Sequence, residues 1–247
     1  MARPHSMPTF TLATFNLHYG LRPRGPRYDL PGITYDVRAA CKRIDTDVIV
    51  LQELWRTDET GSELDDIAHE LGYELHEAPL CRATIQPKLR PARPGHGTWG
   101  LGVLSRFPVL AERRLPIGGI PFDGVGDRDA LQLTLGIDGT RFDVVDVHSS
   151  ARVPHGPLVH IQRLRPQLPS VWGNGVVAGD FNCWGPPITA VLSGWRRAHT
   201  GATWPAHRPH SQLDHILVSR TVEVLEGEVL PDVGSDHRPV RATLRVR

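Results

Sequence analysis

The sequence predicts an α+β fold built on mixed or antiparallel sheets, and three observations carry that prediction. Nine short apolar or alternating runs recur along the 247 residues, the spacing expected of strands. Helical spacing is confined to a few intervals, too few for the strict strand-helix alternation of a doubly wound parallel sheet. Asp138-Gly139 between two of the runs marks a tight hairpin, since glycine tolerates positive φ, so those two strands are antiparallel neighbours.

In chain order, FTLATFN (10–16) reads as the first strand. Val37, Ala40, Cys41 and Ile44 follow a 3-4 rhythm and predict a helix. DVIVLQE (47–53) is the next strand. Leu64, Ile67, Ala68 and Leu71 repeat the helical rhythm and stop at Gly72, as helices often do. WGLGVLS (99–105) precedes the hairpin of ALQLTLGI (130–137) and FDVVDVH (142–148). Short helices are expected at 157–165 and, after Pro186-Pro187, at 187–193, on either side of strand GVVAGDF (175–181). LDHILVS (213–219), VEVLEGEV (222–229) and VRATLRV (240–246) complete the strands. The Pro/Gly/Arg-rich stretches 22–32, 86–97 and 118–127 read as loops, and none resembles an interdomain linker. One domain over residues 8–247 is the expectation.

At 27.4 kDa, with 40% hydrophobic and 22% charged residues, the chain has an ordinary globular composition, which excludes a disordered tail, a collagen-like fibre or a coiled coil. No apolar run approaches the ~18 residues of a membrane span, and MARPHSMPTF lacks the apolar core of a signal peptide. A soluble, cytoplasmic protein with no obligate protein partner is expected. Cys41, Cys81 and Cys183 are too few and too widely spaced for a disulfide framework or a C-x-x-C metal site. The net charge of +1 hides a segregation: residues 45–77 hold eleven Asp/Glu against Arg56, while 82–114 hold seven Lys/Arg against Glu112. A solvated face explains the acidic block, and a polyanion-facing role is an equal reading of the basic one.

The informative pattern is polar residues at strand ends. Asn16 ends the first strand, Glu53 the second, His148 the hairpin, and Asp180 and Asn182 close GVVAGDFN; Asp214-His215 and Asp236-His237 complete the set. Each alone has an ordinary explanation as a turn former, a surface carboxylate or a core histidine. Together they describe a cleft, because strand ends on one sheet edge converge. Hard oxygen donors such as Glu53, Asp236 and the Asn16 amide suit Mg²⁺, with Mn²⁺ as a substitute.

Seven segments appear in order: T-F-N (14–16), D-V-I-V-L-Q-E (47–53), G-L-G-V-L-S-R (100–106), V-D-V-H (145–148), G-D-F-N (179–182), Q-L-D-H-I-L-V-S (212–219) and G-S-D-H-R-P-V (234–240). The chain thereby resembles the endonuclease/exonuclease/phosphatase superfamily of pancreatic-type DNases, AP endonucleases, inositol-polyphosphate 5-phosphatases and bacterial sphingomyelinases. The resemblance implies a four-layer α-β-β-α sandwich of two packed mixed/antiparallel sheets flanked by helices. It implies Glu53 as principal Mg²⁺ ligand, with Asn16 beside it and Asp236 as a further ligand. It also implies that Asp214 orients His237, that Asp180 aligns or activates water with either Asp180 or His237 as the base, that Asn182 donates to the phosphate, and that His148 contacts the phosphate or protonates the leaving oxygen. Arg128 falls at the family's arginine position, where it braces Glu53 or meets phosphate; a salt bridge to Asp127 or Asp129 is the ordinary alternative.

The 5-phosphatase branch has W-C-D-R-I-L where this chain has Q-L-D-H-I-L, so His215 replaces an arginine that meets phosphate there. Ser149 and Ser150 follow His148 where leucine is common in the family. The expected activity is Mg²⁺-dependent hydrolysis of phosphate esters by in-line attack of activated water, with nucleic acid as the substrate of a phosphodiesterase or nuclease. Support for nucleic acid comes from Arg82, Lys88, Arg90 and Arg93 before WGLGVLS, and from Arg152, Arg163 and Arg165 after His148. The alternatives are a phosphatase of small or lipid-linked phosphate monoesters and a sphingomyelinase-like phosphodiesterase.

Overall fold

A computed structural model describes residues 7–22, 33–84 and 96–247. Its strands are β1 (Thr9–Asn16), β2 (Leu21–Arg22), β3 (Ile33–Thr34), β4 (Val48–Thr57), β5 (Glu74–Thr84), β6 (His96–Ser105), β7 (Val109–Gly118), β8 (Arg128–Ile137), β9 (Thr140–His148), β10 (Gly175–Asp180), β11 (Arg196–Arg197), β12 (Asp214–Val218), β13 (Val222–Val229) and β14 (Val240–Val246). Its helices are α1 (Val37–Ile44), α2 (Glu63–Leu71), α3 (His155–Leu164) and α4 (Gly185–Val191).

Two six-stranded mixed sheets, ordered β13-β14-β1-β4-β6-β5 and β11-β12-β10-β9-β8-β7, pack face to face. Alternation along the strands sends Phe10, Leu12, Val48, Val50, Leu101, Leu133, Phe142, Val144 and Val176 into the space between them. The opposite faces bury Phe15, Ile49 and Leu51 under Val37, Ile44 and Ile67 of α1 and α2, and Val145, Val177 and Leu217 under Ile161, Leu164 and Ile188 of α3 and α4. The result is the four-layer α-β-β-α sandwich.

Local chemistry sets the element ends. Asp36 caps α1 by accepting from the Ala39 N–H, and Ser62 with Asp65 forms a capping box on α2, satisfying donors that a helix start leaves orphaned. The predicted hairpin joins β8 to β9 with Asp138 at φ 47° and Gly139 at φ 79°, both in the left-handed region that such a turn requires.

Three strands of the two large sheets lie outside the sequence reading, and all of them are sheet edges: β5, β7 and β11. The two-residue pair β2 and β3 also escaped it. Arg82, expected in a loop, is in β5, and β6 begins at His96, inside the stretch expected as loop 86–97. Lys88, Arg90 and Arg93, and most of stretch 22–32, lie outside the described residues.

Candidate functional site

Each sheet has a parallel strand pair near its centre, and the C-terminal ends of both pairs carry the predicted polar residues. β1 runs parallel to β4, with Asn16 opposite Gln52. β10 runs parallel to β9, with Asp180 opposite His148, and antiparallel to β12, which places Asp214 on the other flank of Asp180. Stacking the sheets brings these ends together, joined below by a hydrogen bond of 2.8 Å from Gln52 Nε2 to the buried Asp146 Oδ1.

Two backbone devices aim the side chains. The β4–β6 register shifts between Leu51 and Leu54, and Glu53 within that bulge has φ 55°, a conformation uncommon for a residue with a Cβ and frequent at bulges that re-aim a side chain. Asn182 has φ 47°, held by its own N–H on Asp180 Oδ1 at 2.8 Å and by Nδ2 on the Ser149 carbonyl at 3.0 Å. Gly179 is required where β10 passes β9, since a Cβ there would collide with the Val147 carbonyl oxygen.

Asp180 Oδ2 is the hub. Asn16 Nδ2 donates to it at 3.1 Å and to Glu53 Oε1 at 3.2 Å. His148 Nε2 stands 3.5 Å from Asp180 Oδ2 and 3.8 Å from Glu53 Oε1, and His237 Nε2 stands 3.8 Å from the same Asp180 oxygen. His237 Nδ1 meets Asp214 Oδ2 at 2.8 Å, which assigns the Nδ1 proton to that bond. Asp236 accepts from Trp204 Nε1 at 3.3 Å and lies 3.7 Å from His18 Nδ1. Ser235 Oγ donates to the Asn16 carbonyl at 2.7 Å, tying the segment before Asp236 to the end of β1.

Burial and neighbouring charge separate the titrating groups. Burial works against a charged His237, but the Asp214, Asp180 and Asp236 carboxylates outweigh it and raise its pKa well above the ordinary histidine range. Burial, then the Arg128 and His237 charges, hold His148 well below that range. Burial lifts Asp180 to about 7, opposed by His237 and assisted by Asp214. Glu53 is also raised by burial, against the lowering influence of His18.

Glu53, Asn182, Asp236 and His237 line a cleft of about 880 Å³, while Asn16, His148, Asp180 and Asp214 are buried beneath it. No Lys or Arg is among the described residues of its lining. Glu53 and Asp236 thus bring carboxylates to the cleft beside the His237 imidazole, with Asp180 beneath them, and their hard oxygens fit a divalent cation. Asn16 meets Glu53 and Asp180 through its NH₂, its Oδ1 accepting the His18 N–H at 2.9 Å. Asp180, Asp214 and His237 also bring ligand-type atoms within 4.8 Å of one another, although the His237–Asp214 contact is a hydrogen bond.

Arg128 has a different environment from the expected ones. Its guanidinium is 4% exposed and pairs with Asp123, 7% exposed, at 3.1 Å, in place of Asp127, Asp129 or Glu53. Nη1 donates to the His148 carbonyl at 3.1 Å, and the guanidinium lies over the Trp99 ring, which also packs on His148. Arg128 therefore fixes the end of β9. His215, at the position where a branch of the family meets phosphate, is buried with Nε2 2.9 Å from the Cys183 carbonyl; it holds the loop after β10. The serines after His148 also form local braces, the Ser149 carbonyl on Asn182 and the Ser150 N–H on His160 Nδ1 at 3.1 Å.

Sequence reasoning missed His18, Tyr19, Trp99, Asp123 and Trp204. His18 and Tyr19 follow T-F-N directly and occupy a short 3₁₀ turn with φ 44° and 58°; their position after a motif strand was the available signal. For Asp123 no spacing rule points to Arg128 across the loop.

The family model for the endonuclease/exonuclease/phosphatase family matches residues 13–237. No curated protein matches the chain. An endonuclease/exonuclease/phosphatase structure from Beutenbergia cavernae superposes with TM-score 0.73 at 23% identity, covering 97% of this chain and 72% of that one. The human Nocturnin catalytic domain with bound sulfate gives TM-score 0.68 at 16% identity over 97% and 94% of the two chains. A mannosyl-6-phosphatase from Bacteroides thetaiotaomicron gives 0.64 at 16% identity over 95% and 98%. Among the described residues, no helix is long and apolar enough to cross a membrane. By the match to its motif strands from end to end, the chain belongs to the endonuclease/exonuclease/phosphatase family of hydrolytic, typically divalent-metal-dependent phosphoesterases.

Proposed function

We propose that the protein is a Mg²⁺-dependent phosphodiester hydrolase, with residues 8–247 acting as one catalytic unit. The observation that carries this reading is the Asp214–His237 hydrogen bond at 2.8 Å, with His237 Nε2 directed to Asp180 beside Glu53 and Asp236. Glu53 and Asp236 would hold the ion, with Asn16 bridging Glu53 to Asp180, and Mn²⁺ would substitute. The bound ion would supply neutralisation of the charge that grows on the phosphoryl oxygens.

The chain's own groups do the rest. Asp214 fixes the His237 ring, and Asp180 and His237, 3.8 Å apart, serve the proton transfers together. Water oxygen bonds to phosphorus as the opposite P–O ester bond breaks. One water proton passes to the pair and a proton returns from it to the departing oxygen, giving a phosphate monoester and an alcohol. Asn182 Nδ2 and the His237 N–H donate to the phosphoryl oxygens. His148, neutral and buried, keeps the Asp180 and Glu53 carboxylates in place and, through its Nε2, is the further phosphate contact. Arg128 serves the phosphate indirectly, by positioning His148.

The absence of Lys and Arg from the described cleft lining favours a singly charged diester over a doubly charged monoester. Nucleic acid, the expected diester, would need the basic residues to meet its flanking phosphates. Of these, Arg82 is bidentate on Asp58 at 2.8 and 2.5 Å, Arg163 donates to the Ile117 and Gly119 carbonyls, and Arg152 stands exposed on the loop beside the cleft.

Hydrolysis of bis(p-nitrophenyl) phosphate and of p-nitrophenyl phosphate in Mg²⁺ or Mn²⁺, followed by plasmid and oligonucleotide substrates, tests the reading. Diesterase activity without monoesterase activity is expected. Release of phosphate from monoesters alone would overturn it in favour of a phosphatase.

A further inference from the structure

The cleft joins a polar floor to a largely apolar wall. Its wall is built by Val153, Pro154, Pro157 and Leu158 from the β9–α3 connection and the start of α3, and by Trp184 and Pro187 from the β10–α4 connection and α4. Val153 is 68% exposed and Trp184 63% exposed, so two large apolar side chains face water at the mouth of a cleft whose floor holds buried carboxylates and imidazoles. Scattered surface hydrophobics need no explanation, whereas a contiguous apolar wall rimmed by polar groups marks a binding surface. It runs directly into the floor: Asn182 begins the segment that carries Trp184, and both residues line the same cleft. The segment is also held from behind, because His215 bonds the Cys183 carbonyl between them at 2.9 Å.

We infer that this wall is the subsite for an uncharged hydrocarbon arm of the substrate, an alkyl or aryl group esterified to the phosphate that lies over His237 and Asn182. The inference rests on the phosphodiesterase reading and names the substrate class for it. Two features select a hydrocarbon arm over a second phosphate of a polyanion. The described lining offers no Lys or Arg to a neighbouring phosphate. The proline and tryptophan surfaces offer flat, rigid apolar area that loses little side-chain entropy on contact. A cleft of about 880 Å³ accommodates an ester group well beyond a methyl.

The test is a series of p-nitrophenyl phosphodiesters whose second ester group is methyl, butyl, hexyl, octyl, phenyl or thymidine 5′-linked, assayed in Mg²⁺. kcat/KM rises from methyl to octyl, mainly through KM, by up to roughly four-fold per methylene drawn from water. The phenyl arm distinguishes stacking on Trp184 from chain burial along Val153 and Leu158. Trp184→Ala and Val153→Ser each flatten the chain-length dependence. Trp172→Ala, which removes an exposed tryptophan packed on Arg220 away from this cleft, leaves that dependence intact. A flat series, or a thymidine ester preferred over octyl, overturns the subsite while leaving the phosphodiesterase reading standing. If no ester is hydrolysed, calorimetry with octyl phosphate and methyl phosphate decides the subsite separately: tighter octyl binding lost in Trp184→Ala supports it, and equal binding overturns it.

Discussion

The floor and the wall of the cleft are built on different principles. The floor takes its side chains from strand ends whose positions follow from register: Asn16 beside Gln52, Asp180 between His148 and Asp214. The groups there are buried or, for Glu53 and Asn182, partly buried, and each is held by at least one neighbour, with Asp180 Oδ2 alone approached by Asn16, His148 and His237. The wall takes its side chains from two connections and the helix starts that follow them, and it leaves Val153 and Trp184 largely in water. Reaction chemistry requires fixed distances between several groups, which paired sheets supply. Discrimination among ester groups requires only surface of the right character, which connections supply and can change without disturbing the sheets.

If the floor is a single interlocked unit, its substitutions cost rate far more than those in the wall. His237→Ala is expected to lower kcat/KM for bis(p-nitrophenyl) phosphate by 10²- to 10⁴-fold, the range of positioned acid–base groups, and His148→Ala by on the order of 10²-fold. Asp214→Asn, which keeps the ring but weakens its anchor and charge, loses less than His237→Ala. Steady-state rates on variants whose circular dichroism matches the parent check this, and near-normal rates in both histidine variants would erase the distinction between floor and wall.

A second substitution tests whether the floor is braced from outside. Arg128→Leu strands Asp123 as a buried carboxylate and is expected to cost about 3 kcal/mol in denaturant unfolding. Since Arg128 also holds the His148 carbonyl, activity falls with stability. Arg128→Leu combined with Asp123→Leu recovers stability better than activity, which separates the two roles.

The last effect leaves the rate at neutral pH untouched and concerns the buried histidines that brace the connections around the cleft, His215 on the Cys183 carbonyl and His160 on the Ser150 N–H. Burial holds His215 at about 4, and burial with Arg128 holds His160 at about 4, both below the ordinary 6.5. The unfolded chain therefore takes up protons first as pH falls. Their stability contribution is whole above pH 6.5 and declines between about 6.5 and about 4, by at most roughly 1.4 kcal/mol per pH unit for each histidine. Urea midpoints across that window measure the decline, and His215→Gln reduces it.

How much of this was legible in the sequence follows the same division. Strands of the sheet interiors were readable because one or both faces are apolar, and the polar residues at their ends stood out against those runs. The missed strands β5, β7 and β11 are edges. β7 reads VLAERRLPIG with five consecutive exposed residues from Leu110 to Arg114, the charged character that blunts an edge against further pairing and hides the alternation. Asn16, Glu53, His148, Asp180, Asn182, Asp214, Asp236 and His237 do converge, but Arg128 turned to Asp123, a partner set by the path of a loop. The wall was not legible at all, because proline, valine and tryptophan in a connection announce neither a strand nor a helix until the fold brings 153–158 beside 184–187.

The most direct measurement is parallel Mg²⁺ titration of chelator-stripped protein by calorimetry and by bis(p-nitrophenyl) phosphate hydrolysis, on the parent chain and on Glu53→Ala. The expected result is no hydrolysis without metal and recovery that tracks binding in the parent. In folded Glu53→Ala, both signals should be largely lost. Full hydrolysis in excess chelator, or undiminished Mg²⁺-dependent hydrolysis by Glu53→Ala, would contradict the assignment of this strand-end cluster as a metal-dependent phosphodiesterase centre.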